Sequence, residues 1–349
     1  MSFAACYKLL EQARFGFVGI VVTLPFAAIG AETSNKLFGP SISVLQENDL
    51  VVRTDRHYTQ GLKFTYLSRE ADAGDSTWAA RWADALPDFG LRAEAARFGV
   101  SIGQNIFTPT DTAATALQAK DRPYAGFLYG AFFLQRRGET PAQRPLLDHW
   151  QLELGIIGPD ALAEEAQNTV HKIRNFPLVK GWANQLHDEP ALALKYQRAW
   201  RFSAGERDGW SLELLPHAGV SLGNSMTFAA VGGQLRTGFR LPRDFGQDTI
   251  DSIAPKSGGR PTDGAGRRGG YVFAGLEGRA VGHNAFLDGN LFHPSHSVSA
   301  FPLVGDLKMG IVYSGKRFDL SFTQIIRSKE FVGQPEIDAF GSVSLCYKW

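Results

Sequence analysis

Cysteine is nearly absent from this chain of 349 residues, which holds two. Cys6 precedes the first apolar run and Cys346 lies near the C-terminus, so an exported chain would keep one and form no intramolecular disulfide. Its fold must then rest on packing and hydrogen bonding. An excess of one charge is also missing: Lys+Arg number 36 against 35 Asp+Glu, which gives no reason to expect nucleic acid as a partner. Long apolar runs are missing beyond residue 31. Before it, Lys8 and Arg14 lead into the uncharged stretch 15–29 and the small pair Gly30 and Ala31. That order is the order of a secretory signal peptide, residues 1–31, cleaved near Ala31. A retained anchor is disfavoured, since the run falls short of the about 20 apolar residues of a spanning helix and contains Pro25.

What the chain has instead is 38 Gly, 25 Phe and a two-residue period. Leu62, Phe64 and Tyr66 alternate with Lys63 and Thr65, and Trp210, Leu212 and Leu214 with Ser211 and Glu213. Twelve such segments fall near 40–50, 59–70, 95–107, 123–137, 148–158, 190–204, 209–223, 226–242, 269–286, 300–314, 316–329 and 337–349. In the last, GSVSLCYKW, Val343, Leu345, Tyr347 and Trp349 take one face and Ser342, Ser344, Cys346 and Lys348 the other. Strands this long, even in number and ending on an aromatic, predict an all-β fold over residues 32–349: a 12-stranded antiparallel transmembrane barrel in a Gram-negative outer membrane. The competing fold is a soluble β-sandwich, whose strands also alternate.

With both termini on the periplasmic side, connections after odd-numbered strands face outward. Three of these gather the unusual polar residues. The third contains the one convincing helix, GPDALAEEAQNTVHKIRNF, with Pro159 at its start, acidic residues early and Lys172 and Arg174 late. On a 3.6-residue repeat Glu164, Gln167, Asn168 and His171 share a side. A solvated face is the ordinary reading of such a helix. In a loop folded against a barrel wall it reads as a site, with His171 as general base and a neighbouring amide to orient it or hold a water. The opening hairpin, ENDLVVRTDRHYTQGLKFTY, adds Asn48 and Asp49, hard oxygen donors of the kind calcium prefers and equally ordinary turn residues. Thr59 stands at the start of its returning strand. The second connection, DRPYAG from Asp121 to Gly126, reads as a tight structural entry into the fourth strand.

ENDLVVRTDRHYTQG, TPTD with DRPYAG, and GPDALAEEAQNTVH resemble, in this order, the lipid A 3'-O-deacylase family of Gram-negative outer membranes. The resemblance implies a twelve-stranded barrel that uses Ca2+ to hydrolyse the ester of the 3'-acyloxyacyl chain of lipid A. It also implies Asn48 and Asp49 at the calcium site, Thr59 as an essential hydroxyl residue, His171 as catalytic histidine, and Gln167 and Asn168 in the matching helix turn. One departure stands out: where some members carry a basic cluster, this chain reads TPTDTAATALQAKD and keeps Lys120 alone.

These readings meet in one scheme, in which His171 activates a water against the ester carbonyl and Ca2+ at Asp49 and Asn48 stabilises the oxyanion. Arg53, Arg56 and Lys63, with Asn168 and Lys120, are the expected contacts to the anionic head group of lipopolysaccharide. An acyl-enzyme route is disfavoured, because the two GxSxG matches, GVSIG at 99–103 and GVSLG at 219–223, lie within expected strands and not on the strand-to-helix turn of a nucleophile elbow. His57 is a rival base. A monomer among outer-membrane lipids is expected. The other function class is a non-enzymatic barrel, whether channel, adhesin or structural protein.

Overall fold

The computed structural model describes residues 37–48, 57–254 and 268–349. The expected signal peptide, residues 1–31, lies outside them. The barrel is built from β1 (Ser41–Asn48), β2 (His57–Leu67), β4 (Arg92–Thr108), β5 (Ala125–Glu139), β6 (Pro145–Ile157), β7 (Glu189–Trp200), β9 (Trp210–Gly223), β10 (Met226–Phe239), β11 (Gly269–Asn284), β12 (Leu303–Ser314), β13 (Phe318–Arg327) and β14 (Asp338–Lys348). Each pairs antiparallel with its neighbours, and β14 returns to β1 with Ser41 opposite Lys348 and Asn48 opposite Gly341. This is a closed ring of twelve strands with no free edge. Two short strands are satellites: β3 (Ala71–Asp72) pairs with β4, and β8 (Phe202–Arg207) continues β7 past Arg201 along β9.

Side-chain alternation separates a membrane barrel from a soluble sandwich. Along β13, Phe318, Leu320 and Phe322 are exposed while Asp319, Ser321 and Thr323 are buried; along β14, Val343 and Leu345 are exposed while Ser342, Ser344 and Lys348 are buried. A water-soluble sheet does the reverse. An apolar outer face around a polar interior is what a lipid environment requires of a closed sheet. The sandwich is excluded.

The interior is filled. Towards the outer end, Tyr58, Phe107, Phe127, Phe286 and Phe340 form an aromatic cluster, into which α3 (Ala285–Asp288) lowers Phe286 to 4.4 Å from Phe107 between ring centres. From the periplasmic end rises the segment after β10. Gly-rich and charged, residues 243–270 read in sequence as a flexible periplasmic connection; the part through Ala254 is instead packed in the lumen. Asp244 binds Arg236, Asp248 lies 3.4 Å from Lys63, the Ile250 amide donates to Glu47 at 2.9 Å, and Asp251 meets Arg327 at 2.7 Å. Buried charges are tolerable in a lumen when each finds a partner, and here the segment supplies them. Planar-bilayer recordings of the inserted chain are therefore expected to show no steady porin-like conductance. A stable open channel would contradict this packing.

The other long periplasmic connection, 68–91, lies against the outside of the barrel and contains α1 (Trp78–Asp84), which packs on β4 and β5. Neither α1 nor α3 was expected. The expected helix in the third outward connection forms as α2 (Ala163–Arg174), preceded by a 3-10 turn at Pro159–Ala161. The two are separated by Leu162, whose φ of 57° breaks the run.

Candidate functional site

Alternation decides which of the singled-out residues share a surface. Glu47 and Lys63 point into the lumen, so Asn48, next along β1, faces outward. Thr59 would face the lumen with Gly61 and Lys63 if β2 were regular. The register between β2 and β4 slips between Tyr58 and Gln60. This bulge leaves Tyr58 in the interior aromatic cluster and turns Thr59 the other way, with its Oγ1 2.7 Å from Oγ1 of Thr108. Re-aiming a side chain is a recurrent use of a bulge near a site. Asn48 Nδ2 donates to the Thr59 carbonyl at 3.2 Å, which ties the ends of β1 and β2 together just where the hairpin leaves them.

Helix α2 lies on the same outer face. Ala163, Gln167 and His171, one stripe at a spacing of four, are its buried residues. The wall admits the helix because Gly126 has no side chain: a Cβ there would stand 2.6 Å from Cβ of Ala163 and 3.0 Å from that of Ala161. Gln104 Nε2 donates to the Ala161 carbonyl at 2.6 Å and holds the turn before the helix. Glu164 and Glu165 in the first turn and Lys172 and Arg174 in the last complement the helix dipole, and Asn175, in the left-handed region, ends it.

The returning chain clamps the polar face. His171 Nδ1 is 2.6 Å from the Pro177 carbonyl, and a carbonyl only accepts, so Nδ1 carries the proton and Nε2 of the neutral ring carries the lone pair. Phe176 stands edge-on to the ring at 5.8 Å. Gln167 Oε1 accepts from Trp182 Nε1 at 3.1 Å, while its buried Nε2 finds no partner among the described residues. Trp182 packs on Tyr124 and belongs to one cluster with Ile106 and Ala163, which places the helix over the end of β4 that bears Thr108. Substituting Gly126 by valine is expected to lift α2 and abolish the activity proposed below while the barrel still inserts; normal activity in that variant would remove the helix from the site.

Not every expected residue joins. Lys63 is corrected from a rim contact to a lumen residue, held by Asp248 and by the Thr249 carbonyl at 3.3 Å. Asn168 spends both ends of its side chain on the Val179 backbone, accepting from its amide at 3.0 Å and donating to its carbonyl at 3.4 Å. Lys120 is exposed on the second outward connection. Asp49, Arg53 and Arg56, and the side chain of His57, lie outside the described residues.

The two charged residues of DRPYAG are structural. Asp121 accepts from the amides of Thr110 and Arg122; Arg122 enters the lumen, stacks 4.7 Å over Phe107 and pairs with Glu330 at 3.5 Å. Burial pulls its guanidinium below the usual value and Glu330 opposes that. Thr108, Gln104, Gly126 and Trp182 were missed by sequence reasoning. Only Gly126, a glycine at the start of a predicted strand, carried a readable signal.

Among the described residues no group of three or more His, Cys, Asp or Glu is arranged to hold a metal ion. The donors sequence reasoning assigns to one are the Asn48 amide oxygen and the Asp49 carboxylate, both hard oxygens, and Asn48 stands on the face that His171 shares. That donor chemistry fits Ca2+.

Residues 17–349 match the family model described as outer membrane protein LpxR. Among solved structures, LpxR from Salmonella typhimurium superposes with a TM-score of 0.70 at 19% identity, covering 88% of this chain and 100% of that one. The β domain of the Bordetella autotransporter BrkA reaches a TM-score of 0.43 at 11% identity, covering 89% of this chain and 99% of that one. No curated protein sequence matches.

Proposed function

This chain belongs to the LpxR family of outer membrane proteins, and on that premise we propose that it is an esterase that removes the 3'-acyloxyacyl chain from lipid A. The observation that carries the reading is His171, held in a single tautomer by Pro177, on a helix laid against the lipid-facing side of the barrel and not in its lumen. A base in that position meets a substrate that arrives through the membrane.

In this scheme Nε2 of His171 takes a proton from a water, and the water oxygen attacks the ester carbonyl. The same nitrogen then returns the proton to the departing sugar oxygen, so no acyl-enzyme forms. Gln167, whose Nε2 has no partner among the described residues, is the donor best placed to hold the water or the carbonyl oxygen beside the ring. Thr59 and Asn48 form the opposite edge. Asp49 and Asn48 would hold Ca2+, which when bound supplies a Lewis acid to the oxyanion. Arg53 and Arg56 are proposed contacts to the phosphorylated head group, with Lys120 farther out; residues 1–31 are proposed as a cleaved signal peptide. No step requires a second subunit.

Lipid A extracted from an outer membrane containing the full-length chain should lose the mass of one acyloxyacyl group when Ca2+ is present and keep it when Ca2+ is chelated. Unchanged lipid A in both arms, from a barrel shown to be folded, would leave the non-enzymatic outer-membrane barrel as the reading.

A further inference from the structure

The connection 68–91 carries a feature that catalysis does not use. Three polar side chains face outward on neighbouring strands: Arg136 on β5, Asp148 on β6 and Arg198 on β7. Their strand neighbours face the lumen, where Arg97 donates to Gln135 at 3.0 Å and His149 contacts Gln151 at 3.2 Å. Charges on the lipid side of a barrel are costly unless covered. Here Asp148 is fully buried, accepting from Arg198 at 2.7 Å and from Tyr196 at 3.0 Å. The cover is α1 and the residues after it. Arg136 donates to the carbonyls of Ala83 and Leu86 at 3.0 Å each and to that of Pro87, and Arg198 to those of Asp88 and Phe89 at 2.8 Å each.

The strap therefore turns its backbone polar groups inward, onto the wall. Its large apolar side chains go the other way: Trp78 is 49% exposed, Trp82 66% and Phe89 59%. A segment facing water is built in the opposite sense. The exposed rings also continue the lipid-facing surface without a break. Trp78 lies 4.6 Å from Phe98 and 6.0 Å from the exposed Phe132, and Phe98 leads through Tyr66 to Trp349 at the C-terminal end of the barrel. That row of aromatics is the girdle expected where acyl chains meet head groups.

We infer that residues 77–89 form an interfacial anchor, with Trp82 and Phe89 seated among phospholipids of the periplasmic leaflet and their backbone neutralising the Arg136, Asp148 and Arg198 cluster behind them. The occupant is lipid because the patch is continuous with the lipid-facing wall.

The test uses the full chain inserted into phospholipid vesicles, where the fluorescence lost in Trp82→Phe isolates the signal of Trp82. That signal should be quenched by phospholipid brominated near the glycerol, less by phospholipid brominated at the chain end, and little by aqueous iodide. Phe89→Trp in the Trp82→Phe background supplies a second probe that should show the same order. Insertion of each variant is checked by its heat-dependent gel mobility. Strong iodide quenching with no effect of brominated lipid, at either position, would overturn the inference and mark the patch as facing water or a protein partner. The outcome does not depend on whether the barrel deacylates lipid A.

Discussion

Lipid A from an outer membrane carrying the His171→Ala chain is expected to keep its 3'-acyloxyacyl group, with the hydrolysis rate lowered by about 100- to 10,000-fold, the range ascribed to a positioned general base. The ring it removes is clamped twice, by Pro177 at Nδ1 and by the edge of Phe176, so the wild type loses little side-chain freedom when the water is activated. Asn48, Thr59 and Gln167 stay in place in the variant, and a residual rate from their electrostatics is expected. Mass spectra of lipid A from wild type and variant, at equal amounts of folded barrel, give the comparison. A variant as fast as wild type would exclude His171 as the base; an inactive wild type would remove the deacylase reading itself.

How far the sequence reaches is visible at single residues. The two-residue period exposed the strands, because a lipid-facing wall around a polar lumen enforces alternation over nearly every residue, and Val343 and Leu345 lie outward as expected. The helix with His171 was legible for a similar reason, its charge gradient and spacing being local. Thr59 is different. Strict alternation from Lys63 would have turned it inward, and only the bulge after Tyr58 brings it to Thr108. A bulge depends on the partner strand, so no local pattern announces it. Lys63 failed for the complementary reason: its neighbour Asp248 is distant in sequence, and a Gly-rich, charged connection reads as flexible until the lumen it fills is known. The strap at 77–89 escaped because its alanines are buried, its Ala83 carbonyl accepts from Arg136 and its tryptophans face lipid, a pattern too short to give a period.

The same lumen packing gives the largest expected loss of stability, at Asp306. Arg279 on β11 and Arg327 on β13 both reach this carboxylate on β12: Arg327 donates in a fork at 2.9 and 3.0 Å, and Arg279 donates at 2.9 Å. All three side chains are at most 4% exposed. Asp251 of the inward segment is their second carboxylate partner, at 2.7 Å from Arg327 and 3.7 Å from Arg279. Glu330 lies 3.7 Å from Arg327 and Glu277 3.9 Å from Arg279, so Asp306→Ala removes the carboxylate that both guanidinium groups hydrogen-bond and leaves them only the longer pairs and Asp251. Breaking a buried pair from one side costs about 3–5 kcal/mol. The exposed pair Arg207 and Asp208, 96% and 91% accessible, should show nothing measurable when Arg207 is replaced. Asp251→Ala removes the other carboxylate of the same group, so its effect and that of Asp306→Ala should fail to add in the double variant. Heat-dependent gel mobility and denaturant unfolding in vesicles would measure both. If Asp306→Ala unfolds with the wild type, water and not protein balances these arginines, and the lumen is wetter than its packing implies; if Asp251→Ala also unfolds early, the segment that closes the pore is also what lets the barrel carry so many charges inside.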